Sequence, residues 1–333
     1  MRILITGYTT RMWGSKRTHG DYVTFSFLLE DILKELGHQV ERRSIVIGED
    51  ITYVYDYAFC GVAPLSSMTS AKVPETHYIM DCLPGRHAVY ADDWSFCDFG
   101  KSVKYALDRW DKYVDYKNFS YDSSILEKTY DSLNRMMMMQ TAGNNAPVLA
   151  PMFPWGDHDF LMRDNYKANL ITIDPSSWVR FPTMNMTSFS NKKKQWVMAA
   201  LSNHTRWVEK QKFTLPVVYV GNKRMGDGLV LSETNTVKLF GESYGVLATG
   251  YPSAGSGWWR TRFLNAAWAE SLVYADVKDQ AIMGEPFKGS VFTFESLNSL
   301  TYARKVVEQG IWLSQNLSPR DEAISVIERL IAK

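Results

Sequence analysis

MRILITGYTTRMWGSKRTHGDYVTFSFLLEDILKELGHQVERRSIVI, residues Met1–Ile47, decides the fold. Arg2 to Gly7 is an apolar run that enters a glycine, the form of a first parallel strand. Thr9 to Gly20 is polar and basic and reads as a loop. From about Asp21 to Leu36 the apolar residues Val23, Phe27, Leu28, Ile32 and Leu36 recur at helical spacing, and Gly37 is placed to stop the helix. Gln39 to Ile47 reads as a second strand. Strand, loop, helix and strand in that order open a doubly wound α/β sheet. Ligands of such sheets bind beyond the carboxyl ends of the strands.

Working outward, Ala58 to Val62 and His77 to Met80 read as short strands, the latter ending at Asp81. Lys101 to Tyr116 and Ser124 to Met139 have helical character. Pro147, Pro151 and Pro154 punctuate NNAPVLAPMFPWGD and predict an interdomain connection. A second strand–loop–helix series begins at Trp196 to Leu201. It continues through Val217 to Val220, Val246 to Thr249, Leu272 to Tyr274 and Ser290 to Phe294. Within it, LPVVYVGNKR (Leu215–Arg224) is a buried strand ending in a Gly-Asn turn and two cations, and GWWRTRFLNAAWAE opens a helix with further cations. Two such basic edges in one half of the chain point to a bound nucleotide. Ser318 as N-cap and Pro319 at the first helical position open a terminal amphipathic helix to Ile331. The domains expected are residues 1–152 with the helix 319–333, and residues 153–318, with a cleft between them.

At 333 residues the chain is long enough for two cores, and its 11 Trp within 14% aromatic content exclude disorder. Lys+Arg 37 against Asp+Glu 36 leaves a net charge of +1, which excludes a non-specific DNA coater and confines any nucleic-acid contact to local patches. Cys60, Cys82 and Cys97 lack metal or redox spacing and read as reduced thiols of a cytosol. MRILITGY is too short for a signal peptide, and no apolar run reaches membrane length, so a soluble intracellular protein is expected.

Several segments carry a resemblance. MRILITGY leads to a helix ending in LGHQV; YIMDCLP, KKKQWVMAALSNHTR, VVYVGNKR, TRFLNAAWAESLVYAD and FTFESLNSLTYARKVVEQ come next in order. The set is similar to the DNA β-glucosyltransferases of T-even bacteriophages and spans most of the chain, Asp115 to Asn191 excepted. The phage α-glucosyltransferases share several of the same features. The resemblance implies an α/β fold of GT-B architecture, two Rossmann-like doubly wound domains facing a central cleft. It implies transfer of a sugar, glucose from UDP-glucose in the simplest case, to the hydroxyl of 5-hydroxymethylcytosine or 5-hydroxymethyluracil in double-stranded DNA. The target base would be flipped from the stack at a cost of a few kcal/mol. It also implies a monomer in the cytoplasm of an infected bacterial host, with UDP-sugar and duplex DNA as partners and no membrane. It implies that no cofactor or metal is required, with a divalent cation such as Mg2+ as an optional activator.

Residue by residue, the resemblance puts the general base at Asp81, in YIMDCLP, where a carboxylate takes the proton of the attacking hydroxyl. The plain alternative is an Asp that caps the following turn. Asp21 falls near the family's sugar-contacting acid and is equally an N-cap for the first helix. In LSNHTRW, Arg206 matches a diphosphate-binding arginine, with Ser202 and His204 as neighbouring donors; a surface ion pair is the alternative. Arg262, with Arg260 as the other register, opens the donor-site helix, where a guanidinium and helix amides offset leaving-group charge. Asn265 falls where the family has a ribose-gripping Glu. Gly221 and Asn222 are expected to act through backbone, and Glu242 and Ser243 to read the uracil through main-chain groups. Arg86, His87, Lys101, Lys104, Arg109 and Lys112, and separately Lys192, Lys193 and Lys194, are DNA-binding candidates or solvated faces. Asp92 and Asp93 read as an ordinary acidic loop pair and not as a metal motif. Rival readings are a GT-B enzyme with a small-molecule or glycan acceptor, a sugar-nucleotide epimerase, and a DNA-binding protein with a vestigial donor site.

Overall fold

The structure is a computed structural model of the 333-residue chain. It describes residues 1–6, 25–62, 78–91, 114–115, 120–121, 146–151, 169–178, 187–199, 215–220, 233–247, 261–274 and 298–332, with 154, 213, 229, 231 and 287 singly. Two compact units result. One comprises Met1–Met152, His158–Val179 and Ser318–Lys333; the other comprises Phe153–Asp157 and Arg180–Leu317.

In the first unit, β1 (Arg2–Thr6), β2 (Gln39–Arg42), β3 (Tyr57–Val62) and β4 (His87–Ala91) belong to one parallel sheet. Val114–Asp115 (β5) and Ser120–Tyr121 (β6) pair with each other, while β7 (Pro147–Pro151) and β8 (Asn169–Ile173) extend the main sheet. The six strands stand in the order β2-β1-β3-β4-β7-β8. Ile3, Leu4 and Ile5 are fully buried, the continuous apolar run of a parallel strand covered on both faces. Helix α1 (Phe25–Glu35) buries Phe25, Phe27, Leu28, Leu29, Ile32 and Leu33, each worth roughly 2 kcal/mol relative to exposure. Gly37 ends it with φ 81°, the left-handed turn in which the His38 amide donates to Leu33 O and the Gly37 amide to Lys34 O, both at 3.0 Å.

The second unit holds β9 (Lys193–Ala199), β10 (Val217–Val220), β11 (Ser243–Leu247) and β12 (Leu272–Tyr274), all parallel and ordered β10-β9-β11-β12. Helices α2 (Glu233–Gly241), α3 (Thr261–Trp268) and α4 (Ser299–Asn316) belong to it. Each sheet thus sets its first four main strands in the order second, first, third, fourth. Each has its topological switch point between its first and third strands.

Several expectations are corrected. Residues 78–82 are helical, not extended: Ile79, Met80 and Leu83 are buried together, and the Leu83 amide donates to Ile79 O at 2.9 Å. A short apolar run does not by itself distinguish strand from helix. Pro147 and Pro151 do not break structure; they are the first and last residues of β7, where proline is tolerated in a sheet. β8, expected in the second domain, pairs with β7 in the first sheet; the chain enters the second unit over Phe153–Asp157, returns to the first over His158–Val179, and re-enters the second at Arg180. Val114 and Asp115 are extended, not helical. The terminal helix α5 (Arg320–Ile331) has Pro319 at its N-cap without a side-chain cap, and the Ser318 amide instead donates to Asp174 Oδ2 at 2.9 Å. The expected helix Ser124–Met139 and strand Ser290–Phe294 lie outside the described residues.

Candidate functional site

Chemistry-bearing residues of a doubly wound sheet belong at its carboxyl edge. In the second unit that edge runs from Val220 through Ala199 and Leu247 to Tyr274, the last residues of β10, β9, β11 and β12. β9 and β11, paired in parallel, flank the switch point. Along the chain, Ser202, His204 and Arg206 come within seven residues of the carboxyl end of β9. The connection leaving β11 at Leu247 re-enters described structure as α3, with Arg262 its second residue. The amino terminus of a helix carries partial positive charge and free amides, so α3 begins as an anion-binding element. Asn265 lies one turn along and is buried, and its carbonyl accepts from the Ala269 amide at 3.0 Å. β10 ends at Val220, as the LPVVYVGNKR reading requires.

The carboxyl edge of the first sheet is formed by Thr6, Val62 and Ala91 at the ends of β1, β3 and β4. Tyr90 is fully buried there and donates its hydroxyl to Thr6 O at 3.1 Å. Its ring crosses β3 at Gly61, where a Cβ would stand 2.5 Å from the hydroxyl oxygen and 2.9 Å from Thr6 O. Immediately after β4 the sequence continues into Asp92 and Asp93.

Other expected site residues fall on the opposite edges. Asp81 is exposed on the 78–82 helix, before β4 begins at His87, so it does not end a strand. Arg86 is half-buried at the same amino edge. His87 is buried with Nδ1 2.8 Å from Leu83 O, and burial lowers its pKa. A neutral, enclosed imidazole is not a phosphate contact, which corrects the DNA-binding expectation. Lys192 is corrected likewise: it is buried, its ammonium donates to Gly241 O at the end of α2, and it stands 5.6 Å from the Tyr302 ring. Burial lowers its pKa too. It offsets the negative end of a helix and is not offered to a duplex. Lys193 and Lys194 are exposed, with Lys193 3.6 Å from Glu242.

Ser243, expected to read uracil, is the buried first residue of β11 and accepts from Gln195 Nε2 at 3.0 Å. It and Glu242 therefore stand at the amino edge of the second sheet, away from the switch point. The strand starts three residues earlier than expected because Gly245 is accommodated within it. A Cβ there would lie 2.3 Å from the Trp196 ring, which occupies the space.

Asp21, Ser202, His204, Arg206, Gly221, Asn222, Lys101, Lys104, Arg109 and Lys112 lie outside the described residues, as does the side chain of Arg262. Among the described residues no group of three His, Cys, Asp or Glu could hold a metal ion, and no helix is long and apolar enough to cross a membrane. Asp92 and Asp93, which follow β4 in the sequence, also lie outside the described residues. Sequence reasoning passed over β4 itself, although HAVYA is a short run of alternating bulk that leads directly into two carboxylates.

No protein-family model matches this sequence, and no curated protein does. Solved structures do. T4 phage β-glucosyltransferase in complex with UDP-glucose superposes with a TM-score of 0.57 at 11% identity, covering 100% of each chain. The same phage enzyme with UDP and Mn2+ gives a TM-score of 0.59 at 10% identity, again over 100% of each chain. An α-glucosyltransferase bound to UDP and a 13-mer DNA gives a TM-score of 0.56 at 11% identity, over 100% of this chain and 99% of the other. The chain has the GT-B fold. Sequence identity this low extends to architecture, and within the GT-B frame the edges of the two sheets are the places to look for chemistry.

Proposed function

We propose that the chain is a glycosyltransferase that moves a sugar from a UDP-sugar, most simply UDP-glucose, to the hydroxyl of a 5-hydroxymethylpyrimidine in duplex DNA. It would act as a monomer in the cytoplasm of an infected host. One observation carries the reading. The segments with Ser202, His204 and Arg206 and with Arg262 leave the two strands that flank the second sheet's switch point, and Arg262 opens a helix there. A pyrophosphate bound at that point is offset by guanidinium groups and helix amides as the glycosidic bond breaks. The structural neighbours hold UDP-glucose, UDP and DNA, which supports a UDP-sugar donor and a DNA acceptor. A divalent cation such as the Mn2+ of one neighbour would add to the charge balance as an activator.

The acceptor oxygen attacks the anomeric carbon as its proton passes to a carboxylate, and UDP leaves with the bonding electrons; attack opposite the leaving group inverts the centre. Asp81 stands at the amino edge of the first sheet, so the base is assigned to the acids just beyond β4, Asp92 or Asp93. Asp21, in the segment between β1 and α1, keeps its role as sugar contact.

Mass analysis of hydroxymethylcytosine and hydroxymethyluracil duplexes, incubated with a panel of UDP-sugars, tests the reading. A gain of one hexose on one base is expected. Asp92→Ala or Asp93→Ala should then lower kcat by roughly a hundredfold or more, the usual worth of a general base, with donor affinity kept. Asp81→Ala should leave the rate within about twofold, the result for a side chain that touches no reacting group. No mass gain with any donor and acceptor would overturn the function; a collapse of rate in Asp81→Ala would overturn the assignment of the base.

A further inference from the structure

Tyr90 does more than fill the first unit's core. β3 lies between β1 and β4, so the end of β1 and the end of β4 are not hydrogen-bonded neighbours. The two are nevertheless joined by one side chain. Tyr90, opposite Gly61 in the parallel register, passes over that glycine and donates to the carbonyl of Thr6, the last residue of β1. Any side chain at position 61 would meet the hydroxyl, the ring carbon that bears it at 2.6 Å, and the Thr6 carbonyl. The same ring meets Phe25, the first residue of α1, edge to face with centroids 6.0 Å apart. Tyr90 therefore touches both ends of the connection between β1 and α1: its departure at Thr6 and its return at Phe25. It is also two residues before Asp92.

We propose that Tyr90 is a positioning residue for the acceptor half of the reaction, tying the carboxyl end of β1 and the start of α1 to the strand that leads into the acids. The inference rests on the glycosyltransferase reading and adds to it the residue that sets those elements in register. A phenol suits the task. Its ring needs only a gap one residue wide, which Gly61 supplies, and its hydroxyl bonds a strand-end carbonyl with a fixed direction. Acceptor alignment depends on sub-ångström placement, whereas the donor site is built by the other unit's sheet.

Tyr90→Phe keeps the ring and removes the tie to Thr6. With a hydroxymethylated duplex and UDP-sugar, kcat should fall roughly tenfold to a hundredfold. The KM for UDP-sugar and its calorimetric Kd should stay within about twofold, and the melting temperature within a few degrees, as expected for one neutral hydrogen bond. Phe25→Leu removes the edge-to-face contact and should show the same split at smaller size. If the wild-type chain transfers nothing to any modified duplex, the reading of function fails and this role falls with it. If the wild type transfers and Tyr90→Phe matches it, or loses donor affinity as much as kcat, the positioning role alone is overturned. A Tyr90→Phe chain that does not fold, beside an unaltered Phe25→Leu, would also overturn it and make Tyr90 a core residue only.

Discussion

Both sheets place their strands in the order second, first, third, fourth, yet the third strand of each yields its side-chain space to a different neighbour. Gly61 of β3 lies beneath Tyr90 from the fourth strand of the first sheet; Gly245 of β11 lies beneath Trp196 from the first strand of the second. Trp196 is held among other rings, 5.8 Å from Tyr274 and 6.0 Å from Phe213. Tyr90 instead directs its hydroxyl to a carbonyl at the carboxyl edge. One backbone device, a glycine under an aromatic, thus serves packing in one unit and alignment in the other.

The sharpest way to break that contrast is Trp196→Ala. Removal of a side chain that is 2% exposed should cost about 4 kcal/mol in urea denaturation of the second unit. Gly245→Ala should also destabilise strongly, because the ring it meets at 2.3 Å is buried and packs against Phe213 and Tyr274. In neither variant should the remaining folded enzyme show the selective acceptor defect of Tyr90→Phe. If it does, the two glycine–aromatic pairs serve the same purpose and the contrast is lost.

Much of this frame is legible in the sequence, and where it is not, the reason is local. Val217 to Val220 and Leu272 to Tyr274 are readable to the residue, as buried runs with clear limits such as Pro216 before β10. β9 and β11, the strands that precede Arg206 and Arg262 in the chain, are readable to within three residues at each end. The acid is not. YIM and HAVYA are both short and apolar, and only the burial of Ile79 and Leu83 on one helical face shows which of them is the strand. Pro147 and Pro151 mislead because the breaker rule ignores strand ends. In the Lys192–Lys194 run, composition cannot show that the first lysine turns inward to a helix carbonyl while the next two stay in water.

The sheets also close differently, and the first closure is sensitive to pH. Beyond β8, buried Asp174 accepts from the Ser176 amide at 3.0 Å, from the Ser176 hydroxyl, and from the Ser318 amide at the return of the chain into the first unit. Arg320 lies over the Trp178 ring at 4.2 Å and pairs with Glu35. Burial raises the Asp174 pKa from 3.8 to about 6 against those hydrogen bonds, and the Glu322 carboxylate adds to the rise. Between these values the folded chain holds a proton that the unfolded chain releases, so stability falls as pH rises through the window. The rise in pKa corresponds to about 3 kcal/mol. The difference in unfolding free energy between wild type and Asp174→Asn should therefore drop by about that amount between pH 3 and pH 7, and stay level above it. A level difference throughout would show that the carboxylate is not disfavoured by its surroundings.

The second closure uses a neutral amide. β12 stands at the end of its sheet among the described strands, and Gln309 of α4 completes it: the Val273 amide donates to Oε1 at 2.8 Å and Nε2 donates to Val273 O at 3.1 Å. The carboxamide thereby imitates a further strand at one residue. Gln309→Leu keeps most of the volume but leaves a buried N–H and C=O without these bonds, at a cost of about 2 kcal/mol. Unlike the Asp174 effect, this loss should be the same at pH 5 and pH 8, because neither partner titrates. Faster hydrogen exchange at the Val273 amide would locate it at the strand edge. A loss that varied with pH, or unchanged exchange at Val273, would mean that the α4 contact closes the sheet by packing alone, and that only the first unit relies on a polar group to finish its sheet.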